Sequence, residues 1–82
     1  MCELFGLSAN QRIAGSAVPL TEFRARGGAT ADNPDGWGIG WREGGNFQLE
    51  REPLPGHSSE QFAKVIESLH TDLLIAHVRK AR

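Results

Sequence analysis

Met1-Cys2-Glu3-Leu4-Phe5-Gly6-Leu7-Ser8 opens the chain and is the stretch around which the remainder is organised. Alternation predicts a strand over Glu3 to Ser8, with Cys2, Leu4, Gly6 and Ser8 on one face and Glu3, Phe5 and Leu7 on the other. Leu4, Phe5 and Leu7 read as a buried strand that holds the terminus in place. The one cysteine of the chain stands directly behind the initiator methionine. A residue this small at position two permits removal of Met1, which leaves a thiol and an α-amine on one residue. The amine titrates near ~7.7–8.0, so a fraction is neutral at cytosolic pH and can act as a base. A thiolate is the strongest side-chain nucleophile. A cysteine in a strand is more often a small buried hydrophobe; position two directs the reading to a nucleophile that carries its own base.

Composition limits the alternatives. The chain has 82 residues, a net charge of −1, three histidines and ten glycines. A near-neutral chain without a basic run offers no nucleic-acid or anionic-membrane surface. No apolar run approaches the ~20 residues of a membrane helix, and no basic-then-apolar leader opens the chain. One cysteine forms no internal disulfide and fits a reducing cytosol, so a cytoplasmic location is expected. His57, His70, His77 and Cys2 match no zinc spacing, and no metal is expected.

Further along, Ala9 to Val18 is polar and reads as a loop. Pro19 suits a first helical turn, followed by Leu20, Phe23 and Arg24, and Gly27-Gly28 stops that short helix. After the turn-like Asn33-Pro34-Asp35-Gly36, the segment Trp37 to Arg42 alternates. Trp37, Ile39 and Trp41 share one face; Gly36, Gly38 and Gly40 share the other. A row of glycines weakens a strand, so a close approach by backbone or ligand is expected there. Glu43-Gly44-Gly45-Asn46 predicts a hairpin turn, and Phe47 to Arg51 a returning strand with Phe47 and Leu49 inward. Ser58 with Gln61 predicts a capping box, and Phe62, Val65, Ile66 and Leu69 form the apolar stripe of a helix. Leu73 to Val78 is a near-continuous apolar run, expected to be a strand buried on both faces, with His77 and Arg79 on one side.

Two helices and about four strands do not complete two covered sheets. Residues 1–82 are therefore expected to be the N-terminal portion of a larger domain.

Three segments together resemble the class II glutamine amidotransferases, which belong to the N-terminal-nucleophile hydrolases. They are Met1 to Asn10, Asp35-Gly36-Trp37-Gly38-Ile39-Gly40-Trp41, and His77-Val78-Arg79-Lys80-Ala81. The opening Met-Cys-Glu-Leu is similar to that of stand-alone bacterial amidotransferase-like proteins. The resemblance implies an α+β fold, a four-layer αββα sandwich of which only the N-terminal portion is present. It implies a glutaminase reaction on a small molecule, glutamine or another γ-glutamyl compound, through a glutamyl thioester and without a cofactor. It makes Cys2 the nucleophile and Arg79 the grip on the substrate's α-carboxylate. Arg26 and Gly27 join the substrate-binding set as the Arg-Gly pair that lies near the nucleophile and orders it. A planar guanidinium holds a carboxylate through two parallel hydrogen bonds, which suits Arg79 to that task.

Arg79 also suits an ordinary strand-end ion pair, and Arg26 a helix C-terminus. His77 reads as a hydrogen-bonded core residue. The family's motif continues into threonine where Arg82 stands, then into an Asn-Gly oxyanion hole and an aspartate for the α-amine. Without these the 82 residues alone are expected to be inactive, and the rival reading is a non-catalytic fragment that needs more chain or a partner.

Overall fold

Alternating hydrophobic residues build one antiparallel sheet, and two amphipathic helices cover one of its faces. The computed structural model of the protein describes residues 2–81. Met1 and Arg82, on which the expected methionine removal and the position of the family threonine depend, lie outside the described residues. Strand β1 is Glu3–Ala14, helix α1 Leu20–Ala25, β2 Gly36–Glu43, β3 Asn46–Glu52, α2 Glu60–Ser68 and β4 His70–Arg79. Short 3-10 turns at Gly15–Ala17 and Gly56–Ser58 precede α1 and α2. The strand order is β1-β4-β2-β3 and every neighbouring pair is antiparallel. An α+β fold with helices on one face follows from these elements.

Register decides which side chains meet. Phe5 pairs with Ala76, Ala76 with Ile39, and Ile39 with Glu50; one step along, Val78 pairs with Trp37. These sheet residues pack against Leu20 and Phe23 of α1 and against Phe62, Val65 and Ile66 of α2, with Leu69 just beyond it. The stripe expected in α2 is therefore the core stripe. Its cap is Ser59, whose Oγ accepts from the Phe62 amide at 3.0 Å, not Ser58. Ser58 lies in the preceding turn and donates to the Pro55 carbonyl, while Gln61 reaches back to Glu50 instead of closing a capping box.

Three further expectations are corrected. The polar stretch after Ser8 is strand, not loop: β1 continues to Ala14 after a register shift between Ser8 and Ile13. The Arg12 guanidinium supports this extension by donating to the His70 carbonyl at 3.0 and 3.3 Å. A polar strand is possible there because β1 lies at the sheet edge and needs only one partner. Phe47 and Leu49 point away from the helices. The tight turn at Gly44 (φ +62°) pairs Glu43 with Asn46, so Leu49 falls opposite Gly40 and Phe47 opposite Arg42. The inward positions of β3 go to Gln48, Glu50 and Glu52, the last two engaged by Gln61 and Ser59 at the start of α2. Finally, β4 is buried on one face only. Leu74, Ala76 and Val78 are covered, whereas Ile75 is exposed and His77 half-buried. An apolar run does not by itself reveal how many layers cover it.

The sheet face away from the helices is thus apolar and open. Leu4, Phe47, Leu49 and Ile75 are 57% to 70% exposed on it. Leu4, read as buried from its neighbours, is among them. The glycines expected to share a face do so, with Gly38 and Gly40 on this same side.

Candidate active site

At one end of this open face the chemistry-bearing residues gather. His77 of β4 stands between Leu4 of β1 and Gly38 of β2, and Gly38 pairs onward with Arg51 of β3. Arg79 lies two residues further along β4, opposite Gly36. Glu3 pairs with Val78, the residue before Arg79, and Cys2 stands one residue ahead of that first pair, outside the ladder. The thiol is free and exposed.

A cleft of about 370 Å³ opens beside this row, lined by Asp35, Gly36, Arg51, His77 and Arg79 among others. A second, of about 230 Å³, adjoins it through Arg51 and His77 and has Leu4, Gly38, Gly40 and Ile75 on its floor. The glycines make this floor low. A Cβ at Gly38 would stand 3.0 Å from the His77 ring. The ion pairs among the described residues are Arg26–Glu3, Arg42–Asp72 and Lys80–Asp32, so Arg51 and Arg79 bring two guanidinium charges to the cleft outside any such pair. The main chain fixes the end of β4. The Asp35 amide donates to the Arg79 carbonyl at 2.9 Å, and the Ala81 amide donates to Asp35 Oδ2 at 2.7 Å.

Arg26 and Gly27 stand on the other side of the strand end, at the end of α1. Arg26 Nε donates to Glu3 Oε1 at 2.5 Å. The Asn33 amide donates to Glu3 Oε2 at 2.8 Å and to the Arg26 carbonyl at 3.2 Å. The hydrogen bond from Arg26, joined by that from Asn33, holds the Glu3 carboxyl below the usual range even though partial burial opposes it. Glu3 in turn raises the Arg26 guanidinium. Gly27 is buried against Gly56, and a Cβ there would lie 3.0 Å from the Gly56 backbone. The structure therefore places Arg79 on the open face and Arg26 and Gly27 on the helix side of the strand end that Cys2 precedes.

Sequence reasoning passed over Asn33, Glu3 and Arg51, and read His77 as a core residue where the structure has it half-buried on the open face. Asn33 was legible only as part of a turn, and Glu3 only as part of an opening motif. Arg51 and His77 line the cleft because of strand register, which has no local signal. Among the described residues, no three histidine, cysteine or acidic side chains come together as a metal site.

The family model described as "Glutamine amidotransferases class-II" matches residues 1–82. The chain belongs to this family. It is 35% identical over 83 aligned residues to Escherichia coli (strain K12) YafJ, which carries the provisional name of a glutamine amidotransferase, and covers 99% of this chain and 32% of YafJ. It is 30% identical to the uncharacterized Methanocaldococcus jannaschii protein MJ1515, with 99% of this chain and 22% of that protein covered. The chain thus spans a third or less of the length of these relatives. In this class II glutamine amidotransferase chain, no helix among the described residues is long and apolar enough to cross a membrane.

Proposed function

We propose that these residues form the N-terminal portion of a class II glutamine amidotransferase domain that hydrolyses the side-chain amide of glutamine with an N-terminal cysteine. After removal of Met1, the α-amine of Cys2 takes the thiol proton and the thiolate attacks the amide carbon. The C–N bond breaks, a proton passes to the leaving nitrogen, and ammonia departs from a glutamyl thioester. Water then cleaves the thioester, restoring the thiol and releasing glutamate. Nucleophile and base within one residue need little further positioning, and well-oriented groups can supply ~7–11 kcal/mol of a barrier. Arg79 holds the α-carboxylate, and Arg26 with Gly27 orders the nucleophile and completes the substrate-binding set.

The observation that carries this reading is the family match over residues 1–82, and it is supported by Arg79 lying on the open face beside the strand end that the exposed Cys2 precedes. The exposed Leu4, Phe47, Leu49 and Ile75 support a second sheet packed on this face, giving the four-layer sandwich. Burial of such residues is worth ~25 cal/mol per Å² of apolar surface. The free thiol of Cys2 suits a reducing cytoplasm. The reaction uses no cofactor, and its partner is a small molecule carrying a γ-glutamyl group.

The test uses the natural gene product purified from its own cells. Its first residue should sequence as cysteine, and it should release glutamate and ammonia from glutamine. Cys2→Ala should lower turnover by on the order of 10⁴–10⁶, as loss of a nucleophile does in other hydrolases. Undiminished turnover in Cys2→Ala would falsify the reading. The isolated 82 residues should be inactive.

A further inference from the structure

We propose that Glu3 and Asn33 are positioning residues for Cys2, a role that rests on the N-terminal cysteine chemistry above. Cys2 precedes the first ladder pair of β1, Glu3 with Val78, so no strand pairing orients it. Chain ends beyond the last ladder bond fray unless tied down. Glu3 is the residue that ties this one. Its two carboxylate oxygens are held by two different elements: Oε1 by Arg26 at the end of α1, and Oε2 by Asn33 in the loop before β2.

Asn33 closes the triangle. It is 3% exposed, and its Nδ2 donates both to Glu3 and to the Arg26 carbonyl, so both amide hydrogens have acceptors. A buried amide with both donors used is costly to disturb, because each lost bond strands a polar group. The Arg26–Glu3 pair alone is solvent-accessible, and such pairs hold little direction by themselves. With Asn33 the carboxylate is fixed from two sides. The side chain of Glu3 points to the helix face, and Cys2 is the residue immediately before it, at the strand end where Val78 leads into Arg79. Displacing a reacting atom by about 1 Å can cost ~10² in rate. Arg26 thus reaches the nucleophile through Glu3, and Asn33 fixes the distance between them.

The experiment compares wild type, Glu3→Gln, Asn33→Ala and Asn33→Asp in the natural gene product, with glutamine as substrate. Asn33→Asp replaces both donated hydrogens with a second carboxylate beside Glu3. All three variants should lower kcat by about 10–100-fold and leave KM within about twofold, since Arg79 is untouched. The rate of Cys2 alkylation by iodoacetamide, followed against pH, should change its midpoint in the same variants. Unchanged kcat and alkylation profile in Glu3→Gln and Asn33→Asp, with a Cys2-dependent wild type, overturn the inference and leave the activity standing. A raised KM at constant kcat, or loss of the cooperative melting transition at the assay temperature in all three variants, also overturns it. A wild type without Cys2-dependent turnover overturns the activity and the inference together.

Discussion

The indole of Trp37 and the ring of Phe62 stack with centroids 4.3 Å apart and planes 8° from parallel. This contact joins β2 to α2 directly behind the glycine face, and both residues are fully buried. Trp37 Nε1 donates to Glu52 Oε1 at 3.0 Å, and the Phe62 amide binds the Ser59 cap, so the pair is fixed on both sides. Phe62→Ala should destabilise the protein by about 3–5 kcal/mol, through lost transfer energy and the cavity left behind. Urea unfolding followed by tryptophan fluorescence measures this directly.

Gly15 gives a sharper steric prediction. Its amide donates to the Leu69 carbonyl at 2.8 Å, and a Cβ would lie 2.3 Å from the Ile66 carbonyl oxygen. Backbone cannot yield as a side chain does. Gly15→Ala should cost ~1–3 kcal/mol or more by overpacking, visible as a lowered thermal midpoint.

The two adjacent serines ahead of α2 should behave differently. Ser59→Ala removes the cap and should cost ~0.5–2 kcal/mol. Ser58→Ala touches only an exposed turn and should stay within about 0.5 kcal/mol of wild type. Equal effects in urea titrations would contradict the capping described above.

Acid should weaken the protein through three carboxylates. Hydrogen bonds from Arg26 to Glu3, from Lys80 to Asp32 and from Arg42 to Asp72 stabilise their ionised forms and lower their pKa values. A folded value below the unfolded one means that the unfolded chain binds protons first as pH falls. Their contribution is complete above the ordinary carboxylate range of ~4 and is lost as pH drops through the depressed folded values. Urea midpoints measured between pH 7 and pH 2 should fall over that window. The fall should be shallower in Asp72→Asn, which lacks the bidentate Arg42 contact at 2.9 and 3.0 Å.

For the proposed reaction, Arg79→Leu should act on binding. Removing a charge-assisted contact worth ~1.5–3 kcal/mol should raise the KM for glutamine roughly 10–100-fold with a smaller change in kcat. Steady-state kinetics on the natural gene product separates the two constants.

Much of this molecule is legible without coordinates because the relevant physics is local. Stripes at helical spacing marked α2, glycines marked the end of α1 and the β2–β3 turn, and alternation put Arg79 on the same side of its strand as His77. The polar extension of β1 was not legible, because its hydrogen bonds go to β4, about sixty residues away in sequence. Nor was the outward face of β3, where Phe47 and Leu49 look like core residues until the turn sets the register.

The sequence by itself determined the periodicities, the turn positions, the family and the nucleophile candidate, all of which depend on residue type and short spacing. Only the tertiary structure decided that Arg79, Arg51 and His77 line the same cleft, and that Asn33 joins Glu3 to Arg26. The physical reason is that a one-residue change of strand register exchanges the two faces of a sheet. That register is set by contacts between segments remote in the chain, which no local pattern encodes.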